Sequence, residues 1–397
     1  MNCPYGYAAA WVRRLDNPAK HGTRDRRCQA GAFSVASHIH IRKRGHMLKT
    51  RFTEMLGIKH PIMMAGMNWI TTPKLVAAVC NAGALGILAT AAFTPEETRK
   101  NIREIRHLTD KPFGMNQILI GPGAKENIAV AIEEKVPIIN YSLGKPWFID
   151  QVHHYGGKVM GTIAIARHAV RAAQLGCDMV VVTGHEAAAH GDVATSMVLI
   201  PLVTSQVKIP LIAAGGFYDG RGLAAALVLG ADAISMGTRF ILTQESDVHE
   251  NFKQLCLQAT EQDTLYSDVF DGLPGRALKS PGAEAMMKGG FPLFRSMSSA
   301  LEVKRILHLP FWKFIGLSWS MMKSEEGKNL LIQARAADGA IHHLKAVHEG
   351  DKGQGFIFAG QSVGGINDIP GTRELIERIV QEAEKRLETV NSLARRE

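Results

Sequence analysis

The feature that most constrains the fold is the alternation, from residue 60 onward, of short apolar runs with helix-like stretches. The runs cover residues 61–66, 84–90, 112–119, 137–144, 158–164, 178–184, 210–216 and 232–238. Strands that are apolar along their whole length are buried on both faces, which is typical of parallel strands with helices outside. Eight such units predict an α/β protein whose core is a closed (β/α)8 TIM barrel.

The alternative architecture is an open, doubly wound sheet. A dinucleotide-binding sheet requires the pattern G-x-G-x-x-G directly after an early strand, with an acidic residue about 20 positions later. The nearest match, GPGAKEN at residues 121–127, lacks the last glycine. The barrel is therefore the favoured prediction.

The helical stretches carry recognisable end signals. Thr72 and Thr94 each precede a proline and are predicted to be helix N-caps. Two histidine pairs, His153–His154 and His342–His343, lie on helical stretches. Both pairs are expected on solvated helix faces.

The distribution of charge and the alternation of apolar runs with helix-like stretches divide the chain into three predicted parts. Residues 1–46 hold nine Lys/Arg and two acidic residues, and they are predicted to form a poorly ordered basic extension. Residues 47–260 form the predicted barrel, and residues 261–397 are predicted to form a helical lid or subdomain whose C-terminal helix completes it. The net charge of +9 lies mostly in the extension, so the body lacks the basic face that nucleic acid binding requires.

Neither a membrane span nor a metal site is expected. A span needs an apolar run of about 18 residues or more, and the most apolar stretch, residues 307–322, is interrupted by Pro310 and Lys313. That stretch is interpreted as a lid or packing helix. The five cysteines are odd in number and lack CxxC spacing, which predicts reduced thiols in a cytoplasmic protein without a zinc site.

The segment GHEAAAHGD at residues 184–192 contains a candidate catalytic histidine. A zinc-binding helix requires histidines at i and i+4, whereas His185 and His190 are five positions apart. Barrel chemistry lies at the C-terminal ends of the strands, so this segment is predicted to be a rim loop that Glu186 helps to orient. A loop histidine there suits general acid–base catalysis. His190, which lies deeper in the loop and before Gly191, is favoured over His185.

The ends of the seventh and eighth runs predict a phosphate site. Phosphate sites in such barrels follow strands 7 and 8, where this chain has AAGG and SMGTRF. Gly215, Gly216 and Gly237 would let backbone N–H groups approach an anion, and Thr238 could donate its hydroxyl.

Other strand ends are suited to a flat heterocycle. Ala65 and Gly66 are small enough for a ring to lie close to the backbone, and Asn116 offers an amide for its edge. The sixth run ends in Thr183 and Gly184, directly before the two histidines of the loop.

Four motifs together resemble the nitronate monooxygenase family, formerly called 2-nitropropane dioxygenases. They are HPIMMAGM, DKPFGMNQIL, GHEAAAHGD and PLIAAGGFYDGRGLAAALVLGADAISMGTRF, and the last is the most specific. The similarity covers roughly residues 50–260, and GQSVGGINDIPG at residues 360–371 resembles the family's tail.

The resemblance implies an FMN-bearing barrel with His190 as the catalytic histidine. By that resemblance, the ring would be lined by Ala65, Gly66, Met67 and Asn116, with Thr162 and Thr183 near its polar edge and Ala188 and Ala189 beneath it. The phosphate would be held by Gly215, Gly216, Met236, Gly237 and Thr238. Two departures concern the substrate cleft: Ala188 and Ala189 replace two glycines of the family, and Thr183 stands where many relatives carry Gln or Asp.

The leading functional expectation is FMN-dependent oxidation of alkyl nitronates by O₂ to a carbonyl compound and nitrite. The alternative enzyme is an FMN-dependent NAD(P)H oxidoreductase with an enoyl thioester or quinone as acceptor. A non-enzymatic barrel that stores flavin is a third hypothesis. A homodimer is a common assembly for such barrels, although no stretch of this sequence specifies an interface.

Overall fold

The computed structural model describes residues 48–188, 190–288 and 325–394 of the chain. The parallel strands are Ile62–Met64 (β1), Ile87–Ala89 (β2), Gly114–Ile118 (β3), Ile138–Ser142 (β4), Lys158–Ile163 (β5), Met179–Thr183 (β6), Leu211–Ala214 (β7) and Ala233–Met236 (β8). They form one eight-stranded sheet in the order β1-β8-β7-β6-β5-β4-β3-β2. A parallel bridge between Met63 and Leu85 closes the sheet. Each strand lies within one predicted run, so the predicted (β/α)8 barrel is confirmed.

One helix precedes β1, and the helices that follow the strands form the outer layer. Their bounds in the barrel are Arg51–Leu56 (α1), Pro73–Asn81 (α2), Pro95–Leu108 (α3), Ala124–Glu133 (α4), Ile149–His154 (α5), Ala166–Gln174 (α6), Ser196–Thr204 (α7), Gly220–Val228 (α8) and Thr238–Ile241 (α9). Thr94 caps α3 as predicted: its hydroxyl accepts the Glu97 N–H at 3.2 Å, and the Glu97 carboxylate accepts the Thr94 N–H at 2.8 Å. Thr72 also stands at an N-cap, but its hydroxyl makes no capping bond.

The barrel has two apolar layers, because side chains alternate between its interior and the helix side of each strand. Met63, Met160 and Ile212 belong to the interior cluster together with Phe52 and Leu56 of α1. Helix α1 lies where the strands begin: the Arg51 guanidinium binds the Asp232 carboxylate at 2.6 and 2.8 Å, directly before β8. The loops of the predicted site therefore lie at the opposite end of the barrel.

The C-terminal part begins with helix Glu250–Gln258 (α10) and an antiparallel hairpin that was not predicted. The hairpin consists of Thr264–Ser267 (β9) and Gly275–Leu278 (β10). It is followed by Pro281–Lys288 (α11), Glu325–Leu344 (α12) with a π-turn at Lys345–Glu349, a short 3-10 helix at Gln361–Gly365, and Thr372–Ala394 (α13). The strands are only four residues long and β10 contains a buried arginine, Arg276, so neither shows an apolar pattern.

Helix α13 packs onto the barrel. Leu375, Ile376 and Ile379 are buried in the same cluster as the outer layer of the barrel. Gly220 at the start of α8 permits this approach, because a Cβ there would lie 2.4 Å from the Ile379 carbonyl oxygen. The predicted division into a 47–260 barrel and a 261–397 subdomain stays a prediction.

Two sequence predictions concern segments outside the described residues: the basic extension at residues 1–46 and the lid or packing helix at residues 307–322. Within the described ranges, no helix has both the length and the apolar character needed to cross a bilayer.

Candidate active site

The loop that connects β6 to α7 carries both candidate histidines. Its conformation is fixed by Glu186, whose carboxylate accepts the Ser196 N–H at 2.9 and 3.1 Å. Ser196 is the first residue of α7, so the carboxylate satisfies an orphan N–H and lies at the positive end of the helix dipole. Glu186 thus orients the loop, as the sequence suggested.

Both ring nitrogens of His190 face oxygen atoms. Nε2 lies 3.1 Å from the Asp271 carboxylate, and Nδ1 lies 3.3 Å from the Pro274 carbonyl oxygen. The side chain is 22% exposed, and the Phe358 ring packs against it at a centroid distance of 6.2 Å. Burial alone would lower the pKa of His190, but the hydrogen bond and negative charge of Asp271 and the Pro274 carbonyl raise it above its ordinary value of 6.5.

His185 has different surroundings. Its Nδ1 lies 2.8 Å from the Asp192 carbonyl oxygen, and its ring packs on Tyr266 at 4.8 Å. The two histidines therefore have separate hydrogen-bonding and ring partners.

The β9–β10 hairpin holds this loop from outside. The Arg276 guanidinium donates to the His185 carbonyl at 3.1 Å, and the Tyr266 hydroxyl donates to the Gly191 carbonyl at 2.7 Å. Asp271 and Pro274 come from the turn of the same hairpin. These four partners of the loop were missed in the sequence, where the only local signal was the turn-like DGLPG at residues 271–275.

The ends of β7 and β8 present backbone donors side by side. Ala214 pairs with Ser235, so Gly216 and Gly237 occupy corresponding positions two residues beyond that pair. The N–H groups of Gly216, Gly237 and Thr238 donate to no acceptor in the described part of the chain. Gly215 and Gly216 have φ values of +98° and +84°, which favour glycine. This row of free donors fits a phosphate group.

A tail residue joins the phosphate site to the histidine loop. The Gly360 N–H donates to the Thr238 hydroxyl at 2.9 Å, which leaves the Thr238 hydroxyl proton available for an anion. A Cβ at Gly360 would lie 2.7 Å from the Glu186 carbonyl oxygen and 3.0 Å from the Ala188 nitrogen. Gly360 belongs to the family-like tail of the sequence, and its contact with the histidine loop was not predicted.

The ends of β1 and β3 also meet. A Cβ on Gly66 would lie 2.9 Å from the Asn116 Cβ, so only glycine fits there. The side-chain Oδ1 of Asn116 accepts a hydrogen bond from the Ser142 hydroxyl at 3.2 Å, while the Asn116 Nδ2 makes no hydrogen bond within the described ranges. Farther along the sheet, the Thr162 hydroxyl on β5 donates to the Asn140 side chain on β4 at 3.0 Å.

The remaining predicted residues lie around the same barrel end. Met67 contacts the phosphate side, since its Sδ would lie 3.4 Å from a Cβ on Gly237, and Ala65 would lie 3.9 Å away. Thr183 is buried at the end of β6. The Met236 side chain belongs to the outer apolar layer, so only its backbone is available to a ligand. Ala188 is half-buried, and Ala189 lies outside the described residues.

The expectation for His342–His343 is wrong for His343. His343 is 4% exposed, and its ring packs against Trp69, Phe356 and Phe358 at 5.6–5.8 Å. Burial lowers the pKa of His343 to about 4. The pair His153–His154 is exposed, as predicted.

Comparisons with known proteins agree with the motifs. A family model described as nitronate monooxygenase matches residues 49–131 and 117–382. The chain is 38% identical over 355 residues to a Rhodococcus jostii (strain RHA1) protein named (3aS,4S,5R,7aS)-5-hydroxy-7a-methyl-1-oxo-octahydro-1H-indene-4-carboxyl-CoA dehydrogenase, with 87% of this chain and 99% of that protein covered. It is 31% identical to a probable nitronate monooxygenase of Staphylococcus saprophyticus, with 64% of this chain and 87% of the relative covered.

A solved structure extends the similarity to the whole fold. FabK from Thermotoga maritima superposes with a TM-score of 0.71 and 36% identity, covering 87% of this chain and 99% of FabK. The residues matched by the nitronate monooxygenase family model include β1–β8, the histidine loop and the tail at Gly360. The chain is therefore an oxidoreductase that belongs to the nitronate monooxygenase family.

Proposed function

We propose that this protein is an FMN-dependent oxidoreductase that acts on an acyl thioester and uses His190 to exchange a proton with it. The observation that carries the proposal is the set of free N–H donors after β7 and β8, which adjoin the histidine loop through Gly360. A phosphate bound by these donors would anchor a ring beside that loop.

FMN is favoured over FAD because these strand ends supply one phosphate-sized group of donors. When bound, the flavin would supply or accept two electrons. The phosphate would be held by the backbone of Gly215, Gly216, Met236, Gly237 and Thr238 and by the Thr238 hydroxyl. The ring would be lined by Ala65, Gly66, Met67 and Asn116, with Thr162 and Thr183 at its polar edge and Ala188 and Ala189 beneath it.

A thioester substrate is supported by the extent of the similarity to the Rhodococcus protein. That relative is named as a dehydrogenase of a carboxyl-CoA compound, and 99% of its length is covered. The match to the Staphylococcus saprophyticus nitronate monooxygenase is lower in identity and covers 64% of this chain. Reduction of an enoyl thioester adds a proton as well as a hydride to the carbon chain, and the reverse oxidation removes both. A histidine at the barrel rim is suited to that proton transfer.

Nitronate oxidation by O₂ is the second candidate. It is supported by the family model and by one feature of the site. A nitronate is an anion, and the His190 ring, with its raised pKa, can carry a positive charge against it.

Within either reaction, the chain contributes binding and proton transfer. Glu186, Arg276 and Tyr266 hold the loop backbone in place. His190 moves a proton at a ring nitrogen, while the Asp271 carboxylate lies 3.1 Å from its Nε2. The fixed loop would keep the imidazole within reach of a substrate bound at the end of the barrel.

The test begins with the cofactor and continues with the substrate. The purified protein should show a flavin absorption spectrum, and heat-released chromophore should have the mass of FMN. The flavin is then reduced anaerobically, with NADH or chemically, and mixed with enoyl-CoA, quinone or buffer, and the oxidised protein is mixed with a nitronate. Rapid flavin reoxidation by the enoyl-CoA supports the thioester proposal. Reaction only with the nitronate would favour the second candidate, nitronate oxidation. Release of FAD would refute FMN as the cofactor.

Other expectations accompany the proposal. Use of NAD(P)H, O₂ as an acceptor, a homodimer and a cytoplasmic location all stay predictions.

A further inference from the structure

The contacts of His190 specify its protonation state. A neutral imidazole has one N–H, so it can donate at one nitrogen only. Here Nε2 faces the Asp271 carboxylate at 3.1 Å and Nδ1 faces the Pro274 carbonyl at 3.3 Å. A carboxylate and a carbonyl oxygen are acceptors, so both contacts are satisfied only when the ring is a doubly protonated cation.

Asp271 is itself fixed in the hairpin turn. Its Oδ1 accepts the Leu273 N–H at 3.1 Å, which leaves Oδ2 directed to His190. The preceding residue, Phe270, is fully buried and packs on Phe356 at 5.0 Å. One carboxylate oxygen therefore anchors the turn and the other binds the imidazole.

No other described charged group competes for the ring. Phe358 packs on it from the C-terminal segment, and the His343 ring lies against Phe358 at a centroid distance of 5.8 Å. His343 is buried and its pKa is lowered to about 4, so it is neutral near pH 7. Asp268, in the same hairpin, is instead paired with Arg335 at 3.0 Å. Asp271 is the charged group that faces His190.

We infer that Asp271 is the positioning residue that keeps His190 protonated, so that His190 enters the reaction as the proton donor and not as the base. This inference rests on the proposed function for its chemical consequence. In the reducing direction, a bound reduced flavin would supply the hydride that the β-carbon of an α,β-unsaturated thioester takes up. The Nδ1–H of His190 leaves its contact with the Pro274 carbonyl, its N–H bond breaks as a C–H bond forms at the α-carbon, and Nε2–H stays with Asp271. The flavin would end in its oxidised form, while the imidazole becomes neutral and takes a new proton from solvent.

The direct test needs no substrate. Histidine ring signals of the flavin-loaded protein are titrated by NMR, and the His190 signal is assigned by its absence in His190→Asn. In the wild type, His190 should titrate above 6.5. In Asp271→Asn its pKa should fall, whereas Asp268→Asn, the matched change in the same hairpin, should leave it unaltered. A wild-type His190 that titrates at or below 6.5, or one that Asp271→Asn does not shift, would overturn the inference.

Activity provides a second readout. A required acid loses activity as pH rises through its pKa, so Asp271→Asn should move the falling limb of kcat/KM to lower pH, with a loss of about 10- to 100-fold at pH 8. Asp271→Glu, which restores a carboxylate, should recover part of both the pKa and the rate. If Asp271→Asn does not fold, the wild-type titration and Asp271→Glu still decide. If no thioester is turned over while the NMR result holds, the proposed function fails and the role of Asp271 stands.

Discussion

Replacement of Gly360 by alanine should disturb catalysis from the far side of the histidine loop. The new Cβ would lie 2.7 Å from the Glu186 carbonyl oxygen, 3.0 Å from the Ala188 nitrogen and 3.3 Å from the Ala187 carbonyl carbon. All three are backbone atoms, which cannot rotate away as a side chain would. Because ordinary contact begins at 3.4 Å, the loop or the tail must shift by roughly 0.4–0.7 Å, a typical case of overpacking.

Two effects of Gly360→Ala follow from that shift. The free energy of unfolding should fall by about 1–3 kcal/mol, as for other overpacked sites. Turnover per bound flavin should fall by up to about 10²-fold, because a displacement of this size at residues 186–188 is passed to His190. Urea denaturation and steady-state kinetics measure the two quantities.

The control is Gly353→Ala, in the same C-terminal segment. Gly353 is exposed, and the nearest atom to its Cβ would be the Asp351 Oδ1 at 3.3 Å, the end of a movable side chain. Its stability and turnover should match the wild type. The reasoning is refuted if Gly360→Ala also matches the wild type in both measurements.

Three further changes test other parts of the site. His190→Asn should retain flavin and lower turnover about 10²–10⁴-fold, whereas His185→Asn should cost little; equal losses would contradict the assignment. Gly237→Asp should abolish flavin binding, since a carboxylate would repel the phosphate; normal flavin content would argue against the phosphate site. Burial lowers the pKa of both His60 and His343 from 6.5 to about 4. Between pH 4 and pH 6.5, these two histidines bind protons only in the unfolded chain. The free energy of unfolding should therefore fall as pH falls, by about 2 kcal/mol per histidine from pH 7 to pH 5. A urea midpoint that does not fall, or His→Gln variants that keep the full pH dependence, would contradict this.

The barrel and the position of its rim loop were predictable because local sequence carries the necessary physics. A strand buried on both faces must be apolar along its length, as MVVVT of β6 is. Positive φ at Gly215 and Gly216 likewise leaves a local mark, since glycine adopts that region most readily. These features need no knowledge of distant contacts.

The partners of His190 were not predictable in this way. Pro274 lies 84 positions away in the chain, and Asp271 sits in a turn between strands of four residues each. The buried Arg276 breaks any apolar pattern in β10, although it is the residue that binds the His185 carbonyl. The local sequence marks the turn but not what the turn contacts.

The burial of His343 also could not be predicted from local sequence. A histidine pair on a helical stretch suggests a solvated face. His343 is nevertheless buried, because its ring packs against Trp69 and against Phe356 and Phe358 of the C-terminal segment. Only tertiary packing brings those three rings to one side of α12.

The most direct test of the account is a single-turnover reaction of the flavin-loaded protein. The bound flavin is reduced anaerobically and mixed with an enoyl-CoA, and flavin reoxidation is followed in wild type, His190→Asn and His185→Asn. The account predicts rapid reoxidation in the wild type and in His185→Asn, and a rate about 10²–10⁴-fold lower in His190→Asn at equal flavin content. Equal rates in all three proteins, or a wild type whose flavin is not reoxidised, would contradict it.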